Sequence, residues 1–344
     1  MVRIVAEIGV NHDGRIDGAR ELIAAAAAAG ADAVKFQYFV PERLLSAQAE
    51  VAAYQRAAGH AGSLRDLLRP LALAVDAVGE LVDAAHAAGL AAWVTPFSPA
   101  DCVDLAPLPL DAVKIASPDA VNPPLISAAA SLDKPLVIST GACTLDELHV
   151  ARDAAGRSGG ALLHCVSAYP TPIAQAALGG IAALADWVGV DGVGADGGAI
   201  PVGYSDHTAA TLTGGFAVAC GATLLEKHLT LDRRAAGPDH AASLEPDAFA
   251  KYVRFARASH RLPYAGARTK TVGPLEADVR RVSRQSVAAA HDLIAGIRLR
   301  PADLTVMRPG TGIPAARLTR LIGKRLGVDV PAGHLLPPDS VADA

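Results

Sequence analysis

Several things are scarce in this 344-residue chain, and each scarcity narrows what it can be. There are four cysteines, Cys102, Cys143, Cys165 and Cys220, far apart and without a Cys-x-x-Cys pair. No disulfide framework is encoded, and reduced thiols in a cytoplasmic protein are the expectation. Aromatic residues make up only 4%. No stretch reaches the roughly 18 uncharged apolar residues of a membrane span. The most apolar stretch, Leu81 to Val94, is broken by Asp83 and His86, and Glu7 falls where a secretory signal needs an apolar run. Net charge is also small, −4 from 31 basic and 35 acidic residues. The chain as a whole therefore has no field to attract nucleic acid or an anionic membrane, and a positive pocket must be local. The first turn, Gly9-Val10-Asn11-His12-Asp13-Gly14, lacks the Gly-x-Gly-x-x-Gly spacing of a dinucleotide fold.

What is abundant is alanine-rich apolar sequence. Apolar residues reach 51% and mean hydropathy is +0.29, which excludes disorder as a description of the whole chain. Short β-like runs alternate with helical ones. The expected strands are Val2–Ile8, Ala33–Gln37, Ala91–Thr95, Asp111–Ala116, Leu136–Thr140, Ala161–Ser167, Val202–Ser205 and Thr223–Leu229. Helices are expected near Asp17–Ala29, Val75–Ala88 and Pro246–His260, among others. Repeated βα units of this number over about 260 residues point to a closed (β/α)8 TIM barrel, with an open doubly wound sheet as the competitor. The rhythm stops near residue 262. Residues 263–281 read as a Gly- and Arg-rich linker, and 282–344 as a small β-rich module with short strands at Ser286–Ala289 and Leu304–Met307. Gly189–Gly198 reads as a loop before the seventh strand, and no Gly-Lys-Ser/Thr follows it to make a phosphate loop.

In such a barrel the chemistry gathers at the C-terminal ends of the strands. Every expected strand end here carries polar groups: Glu7; Lys35 and Gln37; Thr95; Lys114 and Ser117; Ser139 and Thr140; Ser167 and Tyr169; Ser205 and His207; Glu226 and His228. Buried Lys and Glu need partners, so a convergent polar pocket is expected. Lys35 and Lys114, with the hydroxyls of Thr95, Ser117 and Ser139, make a cradle for a small dianion; either lysine alone reads equally well as half of an ion pair. His207 and His228 end neighbouring strands roughly 5 Å apart, within reach of one divalent ion. Two nitrogen ligands completed by water suit Mn2+, Co2+ or Zn2+ better than Ca2+. Asp239, in Gly237-Pro238-Asp239-His240, overhangs the same mouth. His164 and Cys165 are adjacent in a strand and face opposite ways, which disfavours a catalytic pair between them.

These motifs resemble a known family. Ala6-Glu7-Ile8-Gly9-Val10-Asn11-His12, Val34-Lys35-Phe36-Gln37, Thr95-Pro96-Phe97, Val113-Lys114-Ile115, Ser139-Thr140-Gly141, Tyr169-Pro170-Thr171-Pro172, Ser205-Asp206-His207-Thr208, Glu226-Lys227-His228 and Gly237-Pro238-Asp239 follow, in order, the pattern of the sialic acid (N-acetylneuraminate) synthases. The C-terminal module, with Arg308-Pro309-Gly310-Thr311-Gly312 and Ile322-Gly323-Lys324, resembles that family's antifreeze-like (SAF) domain.

The resemblance implies condensation of phosphoenolpyruvate with the open-chain aldehyde of an N-acylated sugar, releasing phosphate and a nine-carbon 2-keto acid. It implies a metal held by His207 and His228, Mn2+ first, with Co2+ or Mg2+ as alternatives. Lys35, Lys114, Ser117 and Ser139 would grip phosphoenolpyruvate, with Gln37, Thr95, Ser205 and Glu226 around it. Glu7 would serve water or proton transfer, while Tyr169 and Asp239 contact the sugar. Arg308 would reach the N-acyl group from the small domain of a second subunit, in a domain-swapped homodimer. The chain departs from the pattern at Ala116-Ser117-Pro118-Asp119 and at Ser167, both expected near the acceptor. These departures leave open pseudaminic-type, legionaminic-type or other aldehydes. A phosphorylated aldose would need a further basic cluster, and a non-catalytic sugar-binding barrel would have no need of both lysines, both histidines and Glu7.

Overall fold

Eight short parallel strands close on themselves in sequence order: β1 (Arg3–Gly9), β2 (Ala33–Tyr38), β3 (Ala91–Pro96), β4 (Ala112–Ile115), β5 (Leu136–Ser139), β6 (Ala161–Cys165), β7 (Val202–Asp206) and β8 (Leu224–His228). Closure is direct, since β1 pairs with β2 on one side and β8 on the other. The open-sheet alternative therefore does not apply. The computed structural model describes residues 1–46, 48–49, 63–191, 194, 197–262 and 271–341. Residues 263–270 of the expected linker, and 192–193 and 195–196 of the Gly-rich loop, lie outside the described residues.

Helices cover the outside of the strands: α1 (Ile16–Ala29), the short α2 (Pro41–Leu44) and α3 (Leu64–Leu68), α4 (Val75–Ala87), α5 (Pro99–Leu105), α6 (Pro123–Ala130), α7 (His149–Arg157), α8 (Gly179–Asp191), α9 (Thr213–Ala219) and α10 (Pro246–Arg261). Local chemistry sets several of their starts. Ser98 and Asn122 accept the N–H of Asp101 and Leu125, and each is followed by proline at the first helical position. The outer core between strands and helices is built from Ile4, Val34, Val94, Ile115, Ile138 and Leu225 against Leu22, Leu81, Leu105 and Phe249.

The inside of the barrel explains where the site must be. Side chains alternate along a strand, so residues two apart share a face. Val5, Ala33, Trp93, Ala112, Val137, Leu163 and Leu224 form an apolar plug in the lower half. Two residues further along the same strands come Glu7, Lys35, Thr95, Lys114, Ser139, Cys165 and Glu226. The plug closes the bottom and the polar layer lies directly above it, away from bulk water.

The chain divides into two compact units, Met1–Tyr264 and Ala265–Ala344. The second holds α11 (Ala277–Ser283), an antiparallel pair of β9 (Ser286–Ala289) and β10 (Leu304–Met307), and α12 (Leu318–Leu321). Part of the span read as a linker is thus helical. Its own core gathers Val287, Leu293, Leu299, Leu326 and Leu336. Ser286 is fully buried, donating to the Pro309 carbonyl at 2.8 Å and accepting from Gly312 N–H at 2.9 Å, which ties the turn after β10 to β9.

Candidate active site

At the C-terminal mouth of the barrel a cavity of about 430 Å3 is lined by residues from every strand end. Its floor is a cluster of four ionisable groups, Glu7, Lys35, Lys114 and Glu226, none more than 5% exposed. Strand register brings them together: Glu7 pairs with Lys35 across β1–β2 and with His228 across β1–β8, and Ser205 pairs with Glu226 across β7–β8. Lys35 Nζ lies 2.5 Å from Glu7 Oε2 and donates to Thr95 Oγ1 at 3.1 Å. Lys114 Nζ donates to Ser139 Oγ at 2.7 Å and to the Ile115 carbonyl at 2.8 Å. Both lysines are 4.0 Å from Glu226 Oε2. Gln37 donates to Glu7 Oε1 at 2.8 Å, and Ser205 to Glu226 Oε1 at 3.0 Å.

Burial disfavours every charge in this cluster, and the neighbours decide each outcome. Lys114 is pushed down to about 8, chiefly by burial, with Glu226 working against the shift. For Lys35 burial is outweighed by Glu226 and Glu7, and its pKa is raised. For Glu226 burial is outweighed by Lys114 and Lys35, and its pKa is lowered. Burial raises Glu7 in spite of Lys35 beside it. Glu226 is thus held as the anion, and Glu7 is the carboxyl tuned toward exchanging a proton.

Above the floor stand His207, His228, Tyr169 and Asp239. The two imidazole centroids are 5.4 Å apart, and the Tyr169 ring lies 4.0 Å from that of His207. His207 Nδ1 is 3.0 Å from the Val166 carbonyl. A carbonyl only accepts, so Nδ1 carries a hydrogen, and whenever the ring is neutral its lone pair is on Nε2. His228 Nδ1 is buried with no hydrogen-bond partner, 3.5 Å from Asp239 Oδ2. Burial, followed by the charges of His207 and Lys35, holds His228 well below the ordinary histidine range, in the neutral form that ligates metals. One imidazole oriented by a carbonyl and another with an orphaned ring nitrogen fit a divalent cation. Among the described residues no group of three or more His, Cys, Asp or Glu side chains is set to hold a metal, so water or substrate would have to complete the shell of these two.

Fourteen of the sixteen residues given a catalytic, binding or metal role from the sequence line this cavity: Glu7, Lys35, Gln37, Thr95, Lys114, Ser117, Ser139, Ser167, Tyr169, Ser205, His207, Glu226, His228 and Asp239. Asp119 is not among the lining residues. Its Oδ1 accepts from Asn122 Nδ2 at 3.0 Å, supporting the residue that caps α6. Arg308 is exposed and belongs to the second unit. The ion-pair reading of Lys35 is met by Glu7, and the same ammonium also donates to the Thr95 hydroxyl named for the anion cradle.

Three features escaped the sequence reading. Cys165 Sγ is 3.7 Å from His207 Nδ1, a cross-strand neighbour that adjacency in sequence does not reveal; with Val166 it outweighs burial and raises the His207 pKa. His164 meanwhile stacks on Tyr204 on the other face of the sheet, as alternation requires. One wall of the mouth is apolar, from Val10, Phe39, Leu44, Leu68 and Phe97, and Leu44 and Leu68 come from the β2–α4 connection, which carried no periodic signal. Glycine also shapes the site at two points. A Cβ on Gly141 would fall 2.3 Å from Ser167 Oγ and 3.0 Å from Ser117 Oγ. One on Gly9, at φ +25°, would fall 2.1 Å from Glu7 Oε1.

The profile of the NeuB family matches residues 22–265, and that of the SAF domain matches residues 284–342. The chain belongs to the NeuB family. It is accordingly an enzyme of the transferase class, a condensing synthase of the kind that makes sialic-type acids. It is 35% identical over 341 residues to the N,N'-diacetyllegionaminic acid synthase of Legionella pneumophila, covering 97% of this chain and 92% of that one. The synthase of the same name from Campylobacter jejuni is 35% identical over 328 residues, covering 93% and 94%. Among solved structures, the N-acetylneuraminic acid synthetase of Leptospira borgpetersenii in complex with citrate aligns with a TM-score of 0.68 and 28% identity, covering 81% of this chain and 90% of that one. No helix among the described residues is long and apolar enough to cross a membrane.

Proposed function

We propose that this NeuB-family synthase condenses phosphoenolpyruvate with the open-chain aldehyde of a non-phosphorylated, N-acylated sugar, giving a nonulosonic 2-keto acid and phosphate in the cytoplasm. The observation that carries this reading is the meeting of Lys35 and Lys114, each already donating to a hydroxyl, with His207 and His228 in one cavity closed below by the apolar plug. Two buried ammonium groups suit the phosphate of an enol phosphate, in a site dry enough for their charge to act at full strength. Among the described cavity-lining residues Lys35 and Lys114 are the only Lys or Arg, so the barrel cavity itself offers a second phosphate on the acceptor no further cation.

The chemistry follows from these residues. The methylene carbon of the enol phosphate bonds to the aldehyde carbon, and the aldehyde oxygen takes up a proton. The positive charge left on C2 is quenched by water, which gives up a proton. The tetrahedral product then expels phosphate by C–O cleavage, its C2 hydroxyl proton passing to the departing phosphate as the keto group forms. Glu7, raised by burial, supplies one proton and recovers the other, for no net change. Lys35 and Lys114 neutralise the departing phosphate. A divalent cation on His207 and His228, Mn2+ first among the choices, would supply Lewis acidity toward the aldehyde oxygen. Tyr169 and Asp239 orient the acceptor, whose acyl or deoxy substituents the wall of Phe39, Leu44, Leu68 and Phe97 suits.

The names of the two legionaminic relatives put an N,N'-diacetylated sugar first among acceptors to try. In this reading Arg308 caps the acceptor from the SAF domain of a second subunit in a domain-swapped homodimer. The test is phosphate release from phosphoenolpyruvate with Mn2+ and a panel of aldoses. Release that needs a non-phosphorylated N-acylated sugar supports the reading. Release with phosphorylated aldoses alone, or none with any aldose, refutes it.

A further inference from the structure

Asp206 and Lys227 take no part in the cavity, yet each immediately precedes one of its two histidines. Both are 0% exposed and their charged groups lie 3.2 Å apart. Ser205 and Glu226 line the cavity, so by strand alternation Asp206 and Lys227 point through the barrel wall to the helices outside. There Lys227 Nζ sits 5.4 Å from the ring centroid of Tyr252 on α10, and Asp206 Oδ2 accepts from Thr213 of α9 at 2.5 Å. Asp206 and Lys227 are also register partners, the last of the β7–β8 ladder after Tyr204–Leu225 and Ser205–Glu226. The next step along both strands is His207 and His228.

The pair grips the backbone on both sides of His207. Asp206 precedes it, and Asp206 Oδ1 accepts the N–H of Thr208, which follows it, at 2.8 Å. Lys227 Nζ donates to the Thr208 carbonyl, and its contact with Thr208 Oγ1 is 3.4 Å. His207 is therefore the middle residue of a three-residue bracket fastened to the residue before His228. Stability alone does not account for ions here, because apolar side chains of similar volume commonly serve a buried site as well or better. What an ion pair adds is a single permitted register. A slip of one residue would turn one imidazole out of the cavity altogether.

We propose that the Asp206–Lys227 pair is a positioning device, fixing the β7–β8 register from outside the barrel so that His207 and His228 open onto one point. The inference rests on the reading of those histidines as cation ligands. The test measures Mn2+ affinity, with the metal alone, by electron paramagnetic resonance of the free ion in full-length protein. The variants are wild type, His207→Ala and the double variant Asp206→Asn/Lys227→Met, which removes both charges together and leaves no ion stranded. Thermal midpoints are recorded alongside.

The double variant is expected to fold with a midpoint near wild type yet bind Mn2+ at least about tenfold more weakly, as loss of a partner that orients a ligand commonly does. A purely structural pair would move the midpoint and leave the affinity alone. Affinity equal to wild type in the folded double variant overturns the proposal. Unchanged affinity in His207→Ala removes the ligand reading itself, and the proposal with it. Should the double variant fail to fold, Thr213→Val takes away only the hydroxyl that supports Asp206; weaker Mn2+ binding than wild type then supports the proposal and equal binding overturns it.

Discussion

Lys114 sets a sharp expectation for pH dependence. Its ammonium is 2% exposed, hydrogen-bonded to Ser139 and the Ile115 carbonyl, and pushed by burial to about 8 although Glu226 lies 4.0 Å away. Only the protonated form attracts a phosphate dianion. Free enzyme therefore loses its competence to bind phosphoenolpyruvate as pH rises through about 8, and one unit higher only about one molecule in eleven carries the proton. The quantity that reports free enzyme is kcat/KM for phosphoenolpyruvate, which should fall about tenfold for each pH unit above that point. Bound substrate dianion raises the lysine's pKa, so kcat at saturation should decline only at higher pH. Lys114→Arg keeps its charge throughout. It should be slower overall, because a planar fork does not fit the two acceptors, but the alkaline limb should vanish. A wild-type profile flat from about pH 7 to about pH 9.5, or an unchanged limb in Lys114→Arg, refutes the reasoning.

Lys35→Met strips Glu7 of its cation, leaving Glu226 with Lys114 alone, and should destabilise the barrel by about 3–5 kcal/mol in denaturant titration; Lys35→Met/Glu7→Gln should recover most of that loss but no activity. His207→Ala should fold normally and lose turnover that responds to Mn2+, checked with and without chelator; full chelator-resistant activity would remove the metal role. Gly141→Ala forces a methyl against the Ser167 hydroxyl on the acceptor side and the Ser117 hydroxyl on the phosphoenolpyruvate side, and should raise the KM of both substrates in steady-state assays. Arg308→Ala should raise the acceptor KM with little change in that for phosphoenolpyruvate; an unchanged acceptor KM contradicts the swapped cap.

The barrel was legible in the sequence because buried parallel strands leave short apolar runs, and those from Val2–Ile8 to Thr223–Leu229 match the eight observed strands to within two residues at each end. The site was legible for a related reason. A lysine or glutamate two residues beyond an apolar core position, as Lys35 follows Ala33 and Glu226 follows Leu224, faces the same interior and must have a purpose there. What stayed hidden depends on contacts between distant strands or on irregular connections. Cys165 meets His207 only once β6 and β7 pair, and Leu44 and Leu68 reach the mouth from a connection without periodicity. The local engagement of Asp119 was hidden as well: Asn122, three residues on, donates to its carboxylate at the start of α6.

A crystal structure with phosphoenolpyruvate and Mn2+ bound tests the account most directly. The phosphate should lie within hydrogen-bonding distance of Lys35 and Lys114, with one metal peak shared by His207 and His228. Phosphoenolpyruvate bound away from both lysines, or a metal touching neither imidazole, would contradict it.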